Sequence, residues 1–453
     1  MKVRKNISTL HLPHNKHTAG VSSVRVAPPA EVLLPLSMHS GAPAVPVVSV
    51  GDYVRVGQLI AEEGGNISSP VHATVSGTVK AIEPYVKANG KSVMAIRIES
   101  DGKMEKDPNL QPPVVNDLDS FLLAVRNSGV VGLGGAAFPL WAKLDAVRRN
   151  KVDTVLVNGA ECEPYITSDH RMMLENTEML VKGVELLKTY VSTDKVVLCI
   201  EDNKQDAIDK LSKIFENDPR VEICTLPTIY PQGAKQVLLY NVTGKVVKGG
   251  QRMASLGVLI LNVSSMTKMA EYIETGMPLV DRIVTVCGSA MKQPTNLIAP
   301  IGTPISYIIE QAGGLKEEAG KVLIGGPMLG NAQLSLDAPA EKVTNAVLVM
   351  NKKEAKVYEP TTCIRCGRCV DACPVHLQPL YLYMYQQKGL IEELEAAHIM
   401  DCMECGACAY ICPGRLHLTQ TFKTAKQMVK DAAAKRKAAE EAAKAAEAQK
   451  KEA

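Results

Sequence analysis

The sequence predicts a multidomain chain, part α/β and part α+β. Three observations lead there. The 453 residues exceed one ordinary domain, since domains run to ~100–200 residues. Four β-branched runs, "VDTVLVN", "KVVLCIED", "VEICTLP" and "LGVLILNV", alternate with helical stretches such as "HRMMLENTEMLVKGVELLKTYV". That alternation is the pattern of a mainly parallel sheet covered by helices. Near the C-terminus one spacing of cysteines occurs twice.

The totals exclude several classes. Apolar residues make up 46%, enough for buried cores, while aromatics are 4%, with one Trp and four Phe. So few rings argue against stacking platforms for single-stranded nucleic acid. The net charge of +3 is uneven: residues 423–453 hold nine Lys/Arg against five Asp/Glu, which leaves the remainder close to neutral. No run reaches the ~18 apolar residues of a membrane span. The best, "ASLGVLILNV" (254–263), reads as a buried strand. The start, "MKVRKNISTLHLPHNKH", is basic without an apolar core, so it is not a signal peptide. The expectation is a cytosolic protein, or one peripheral on a membrane's inner face. There the twelve cysteines are not disulfides.

Taken in order, residues 20–100 form short strands joined by glycine turns, as in "VVSVGDYVRVGQLIAEEGG" and "SSPVHATVSGTVKAI". "VHATVSGTV" resembles biotinyl- and lipoyl-type barrel-sandwich domains, whose hairpin carries a modified lysine. Here the hairpin reads "HATVSG", with no lysine. Residues 1–106 are therefore expected to be a barrel-sandwich hybrid with no carrier function. "DPNLQPPVVND" (107–117) is a linker, and "DLDSFLLAVRNSG" an amphipathic helix closed by Gly129. The α/β domain covers 117–283. Residues 284–350, with "VTVCGSAM", "APIGTPISYIIEQAGG" and "VLIGGPMLG", form a small strand–helix–strand unit. The cysteines occupy 358–416. The tail, 421–453, is rich in the helix formers Ala, Lys and Glu. Lacking an apolar stripe, it reads as a solvated or disordered helix. A sharper reading makes it a docking tail for a partner or an anionic membrane surface.

The cysteines carry the strongest signal. "CIRCGRCVDACP" supplies Cys363, Cys366, Cys369 and Cys373; "CMECGACAYICP" supplies Cys402, Cys405, Cys408 and Cys412. Each is C-x2-C-x2-C-x3-C-P, the bacterial ferredoxin spacing, in which the fourth cysteine serves the other cluster. One [4Fe–4S] cluster then takes Cys363, Cys366, Cys369 and Cys412, and the second takes Cys402, Cys405, Cys408 and Cys373. Gly367 and Gly406 relieve crowding in the loops. Zinc sites also use C-x2-C pairs, but the doubled three-plus-one spacing fits zinc poorly. The spacer 374–401 is mostly helical and packs over the clusters. Its His376 and His398 read as ordinary surface or core residues. Cys199, Cys224 and Cys287 sit in strand-like runs as core residues.

Two further stretches carry chemistry. "GVVGLGGAAFPLWAKL" (129–144) is glycine-rich, but a helix precedes it and Ala137 stands at the sixth position. It is therefore a poor match to the dinucleotide fingerprint, which follows a strand. "VNGAECEP" (157–164) ends a strand with Glu161 and Glu163 flanking Cys162. Together these stretches resemble the NADH-binding flavoprotein subunit of respiratory complex I, with its G-R-G-G-A-G-F-P…K loop and N-A-D-E-G-E-P segment. The resemblance implies a Rossmann-like flavin domain in which Gly132, Gly134, Gly135, Phe138, Lys143, Asn158 and Glu161 contact FMN. It places Glu163 beside the nicotinamide and makes Glu161 and Glu163 the catalytic pair. "YPQGAKQVL" (230–238) resembles a second flavin loop, adding Tyr230 and Gly233. "LNVSS" (261–265) resembles the family's strand end, adding Asn262 and Val263. The chain departs from the family at Leu133 (Arg), Ala160 (Asp) and Cys162 (Gly). On this reading the glutamates face flavin and nicotinamide, and Cys162 fills a small position.

The order of parts is similar to that in the C subunit of Rnf complexes: barrel sandwich, flavin domain, a small β-grasp-like (SLBB-type) domain, a two-cluster ferredoxin-like domain, then a helical tail. "HLPHNKH" resembles that family's N-terminal His-Pro…Asn-Lys segment. Read alone, His11, His14 and His17 hint at metal, but a proline-interrupted loop argues against it. The resemblance implies FMN, two [4Fe–4S] clusters and NAD(H) as substrate. It implies integral-membrane and iron–sulfur partner subunits, electrons from ferredoxin by way of those partners, and coupling to ion transport. Flavin chemistry links a hydride donor to one-electron clusters. Two rival readings remain: a flavin and iron–sulfur cobalamin reductase, and a non-catalytic electron relay.

Overall fold

The computed structural model describes residues 9–452, with side chains through Lys444. The opening of the basic N-terminal segment and of the 1–106 domain, and the last residue of the tail, lie outside the described residues. The four β-branched runs all form strands of one parallel sheet, in the order Val221–Leu226, Lys195–Glu201, Thr154–Gly159, Val258–Asn262. Both faces are covered, so Val155, Val157, Val196 and Leu198 are buried on one side and Leu156, Val197 and Ile260 on the other. The chain builds outward from Thr154–Gly159 and then crosses back to add Val258–Asn262 on its other side. That reversal is a topological switch point, where α/β sheets bind ligands at the carboxyl ends of their strands. Asn158 and Asn262 are register partners there. The expected helix runs Leu118–Asn127, with a capping box between Asp117 and Ser120, and Gly129 follows at φ 68°.

The barrel sandwich consists of two antiparallel sheets. One holds Glu31–Pro35, Ser92–Ser100, Gly77–Val86 and Tyr53–Val54; the other holds Val45–Pro46, Leu59–Glu62 and Val71–His72. Its core is continuous with that of the parallel-sheet domain, Ile60 and Ile98 belonging to one apolar cluster with Phe121 and Leu140. Buried Lys342 ties the junction, donating to Ser69 Oγ (3.1 Å) and to the carbonyls of Pro70 (2.7 Å) and Gly129 (2.8 Å).

A mixed six-stranded sheet follows the order Ser23–Arg25, Thr295–Pro300, Asp281–Cys287, Ala346–Asn351, Ala319–Ile324, Asn331–Ala332. Its first strand comes from the N-terminus and pairs parallel with Thr295–Pro300. The leading segment thus sits with the later domain and not with the sandwich that follows it in sequence. Periodicity over three residues carries no signal of that pairing.

Helices Pro379–Gln387 and Ile391–Ala396 cover the cysteine loops, burying Leu382 and Leu394. The tail is one helix, Leu418–Glu452. Its first turns bury Leu418, Phe422, Ala425 and Val429 against the cysteine core, whereas the side chains from Ala433 to Lys444 are exposed. Among the described residues no helix is long and apolar enough to cross a membrane.

Candidate functional site

The switch point opens into a cleft of about 270 Å³ lined by three parts of the chain. The parallel-sheet domain contributes Gly134, Asn158, Glu161, Cys162, Glu163, Asp169, Tyr230, Gly233, Lys235 and Asn262; the mixed-sheet domain contributes Leu329 and Asn345; the cysteine loops contribute Met403 and Cys405. The two asparagines are oriented by the protein. Asn158 donates to the Gly233 carbonyl (2.9 Å), and Asn262 donates to Asp169 (2.7 Å) while capping Val263–Thr275 through Ser265 N–H (3.1 Å).

The two glutamates have different tasks. Glu161 has left-handed backbone (φ 50°), and its carboxylate accepts from the backbone N–H groups of Asp169 (2.7 Å) and His170 (3.3 Å) at the start of helix Ser168–Glu175. Glu163 accepts from Met328 N–H (3.1 Å) through one oxygen, and its other oxygen is buried without a partner. Burial pushes its carboxyl up to about 7. A side chain at Gly326 would strike the Glu163 carboxylate, its Cβ falling 2.3 Å from the oxygen. Glycine there is what lets the loop close on Glu163.

Cys162 accepts from Gly233 N–H (3.3 Å), and burial raises its thiol well above the usual range, so it is no thiolate nucleophile. Ala160 is fully buried, and its carbonyl accepts from Lys204 (2.7 Å). Asp169 also lines the cleft, and burial, then the Glu161 charge, raise its acid to about 6.

Several expected residues stand outside the cleft. Gly132 and Phe138 close their own turn (Gly132 N–H to the Phe138 carbonyl, 2.8 Å). Gly135 lies at the exposed tip, and Val263 is buried in the core. Lys143 donates to the Ile260 carbonyl (2.8 Å), with burial and then Lys235 lowering its amine to about 7. Lys235 is the lysine that reaches the cleft.

The cysteines gather into two sets. Cys363, Cys366, Cys369 and Cys412 line one cavity, and Cys402, Cys405, Cys408 and Cys373 line another. Among the described residues no three His, Cys, Asp or Glu groups converge on a single ion. Each set takes three thiols from one loop and the fourth from the other, the three-plus-one arrangement of a two-cluster ferredoxin. The second set adjoins the cleft directly. Tyr230 Oη donates to the Cys405 carbonyl (2.6 Å), and Met328 packs against the apolar cluster that contains Tyr230 and Cys405.

Comparison with known proteins agrees. Residues 125–271 match the Nuo51 FMN-binding domain, 7–103 the RnfC barrel sandwich hybrid domain, 283–332 the SLBB domain and 355–413 a 4Fe-4S dicluster domain. The sequence is 43% identical to the C subunit of the Na(+)-translocating ferredoxin:NAD(+) oxidoreductase complex of Acetobacterium woodii, over 93% of this chain and 96% of that one. The chain belongs to the RnfC family. A second RnfC relative, the C subunit of the proton-translocating ferredoxin:NAD(+) oxidoreductase complex of Clostridium ljungdahlii, is 40% identical over 83% of each chain. The C subunit of the Pasteurella multocida ion-translocating oxidoreductase complex is 37% identical over 96% of this chain, which spans about half (52%) of that protein. The cofactors of this RnfC chain are FMN and iron–sulfur clusters. The cleft suits a flavin with its nucleotide partner: it offers a buried carboxyl oxygen that lacks a donor, a lysine, and glycine backbone at Gly134 and Gly233.

Asp169, Lys235, Asn345, Leu329 and Met403 also line the cleft, and sequence reasoning missed them as site residues. For Lys235 a signal existed, since it lies within the flavin-loop stretch "YPQGAKQVL". The others reach the cleft only through packing.

Proposed function

We propose that this chain is the NAD(H)-facing peripheral subunit of a membrane-bound, ion-translocating ferredoxin:NAD(+) oxidoreductase, on the cytoplasmic face. It exchanges hydride with NAD(H) through FMN and passes single electrons through two [4Fe–4S] clusters, which connect it to ferredoxin by way of integral-membrane and iron–sulfur partners. One observation carries this: Met403 and Cys405 of the second cysteine loop line the same cleft as Glu163, Asn158 and Gly233. A two-electron site and a one-electron site thus share a wall.

FMN, when bound, supplies the exchange between hydride and single electrons. Gly134, Asn158, Gly233, Lys235 and Asn262 would hold it. Glu161 positions helix Ser168–Glu175 and with it Asp169. Glu163, neutral or charged near neutral pH, presents a carboxyl oxygen to the bound nucleotide. Leu329 and Met328 close the cleft against water. The two cysteine sets would each hold one cluster. We take the parallel-sheet domain (expected at 117–283, less Asp281–Cys287, which pairs in the mixed sheet) as Rossmann-like and the mixed-sheet domain (expected at 284–350) as β-grasp-like, flanked by the sandwich (to 106), the cluster domain (358–416) and the tail (from 421).

The test is anaerobic spectroscopy with iron and flavin assays, before and after NADH. About eight irons and one flavin, with flavin bleaching and a reduced-cluster EPR signal, are expected. Eight irons without flavin or NADH response would make the chain a relay.

A further inference from the structure

The residues before the sandwich do more than begin the chain. From Leu10 to Arg25 they run as a strap across the cleft's outer wall. Leu10 exchanges two backbone hydrogen bonds with Tyr230 (2.9 and 2.8 Å), the residue that also bonds the Cys405 carbonyl. The His14 carbonyl accepts from Tyr165 N–H (2.9 Å). Thr18 meets Thr167 (2.6 Å) in a buried hydroxyl network that includes Thr285 and Asn296.

Lys16 is the centre of this strap. Its stem is half-buried and its ammonium enclosed. It donates to the carbonyls of Glu161 (2.7 Å), Glu163 (3.0 Å) and Ile166 (2.6 Å). An ammonium has three donors and no acceptor, and here each donor has a carbonyl from one turn. That turn is strained. Glu161 and Tyr165 both take left-handed backbone, at φ 50° and 71°. Such conformations at residues other than glycine persist only where the surroundings over-determine them.

We propose that Lys16 is a positioning residue of the nucleotide cleft: by gathering three carbonyls it holds turn 161–166 in its left-handed form and so aims Glu163 into the cleft. The inference rests on the functional reading above. Among the described residues no other side chain bonds these three carbonyls together, so removing the ammonium leaves them facing inward unpaired. The turn then relaxes, and the Glu163 carboxyl leaves the Met328 N–H.

The experiment uses the full chain with its cofactors. Lys16→Met is expected to speed hydrogen exchange of the 161–166 amides and to lower kcat/KM for NADH about 10–100-fold, the cost of misplacing a cleft group. Flavin and iron content should stay at wild-type levels. Adding Tyr165→Gly, which takes φ 71° without strain, should recover part of that loss, a rescue that general destabilisation does not produce. If Lys16→Met does not accumulate, Lys16→Arg is measured the same way; its bulkier fork should shift both readouts in the same direction by less. Unchanged exchange and unchanged kcat/KM in a folded Lys16 variant would overturn the proposal. A wild-type chain that does not respond to NADH would instead sink the functional reading, and the exchange comparison would still judge the role of Lys16 in the turn.

Discussion

The outer cysteine cavity (Cys363, Cys366, Cys369, Cys412) and the inner one (Cys402, Cys405, Cys408, Cys373) are built alike down to the backbone. Arg365 and Glu404 take left-handed φ at equivalent positions (54° and 58°), as do Gly367 and Gly406 (80° and 79°), and His376 and Arg415 (55° and 53°). Their surroundings differ. Ile364 of the outer loop is 69% exposed and Cys366 is exposed. Met403, the counterpart of Ile364, lines the switch-point cleft, and Cys405, the counterpart of Cys366, is buried. The outer rim carries exposed Arg365, Arg368 and Arg415. The inner loop has Glu404 paired with Lys426 (2.7 Å). On the proposed function, a repeated motif yields two ends of one relay, because cluster potentials follow exposure, net charge and hydrogen bonding.

The largest effect should come from removing one ligand on each side. Cys405→Ser and Cys366→Ser are each expected to lose one cluster, about four of eight irons. Only Cys405→Ser should stop NADH from reducing the remaining cluster, read by EPR. Equal behaviour of the two variants would break the assignment of inner and outer ends.

Glu163→Gln comes next, since only the inner end has a titrating carboxyl beside it in the cleft. Its folded value of about 7 lies above the ordinary 4.5. The stability it contributes is therefore full below the unfolded value and is lost as pH rises through 7. In Glu163→Gln, the step near pH 7 in flavin bleaching should flatten, and stability at about pH 8.5 should rise by about 1–3 kcal/mol over wild type, measured by urea unfolding. Tyr230→Phe leaves the Cys405 carbonyl unpaired. A cost of about 1–3 kcal/mol is expected, with the inner-cluster EPR signal shifted and the outer one unmoved. Arg365→Gln should be the mildest, within about 0.5 kcal/mol in stability, moving only the outer-cluster signal.

What was legible follows from range. The cysteine sets could be read because each trio lies within one loop and the exchange of the fourth ligand follows from the spacing. The four parallel strands could be read because buried β-branched runs are a local signal. Asn158, Glu163 and Asn262 were legible as strand-end residues in long motifs. The division of labour between the glutamates was not, because it depends on a helix start at Ser168 and on a loop at Met328 that approaches from another domain. The partner of Lys143 was not legible for the same reason. The strand carbonyl it serves and the cleft that Lys235 enters are set by packing. The partners of Lys16 lie 145–150 residues away, beyond any periodicity.

The strap also fixes an order of assembly. Thr18 is made early, yet its carbonyl waits for Asn296, 278 residues later. At ribosomal speeds of ~5–20 residues per second, that wait is roughly 14–56 s. The parallel sheet is complete once its last strand, Val258–Asn262, is made, so it stands without the Thr18–Asn296 bond for the ~34 residues that follow, roughly 2–7 s at the same speeds. Lys16 and Leu10 meet their partners, the 161–166 carbonyls and Tyr230, well before that, so the strap docks in steps and its Thr18 contact closes last.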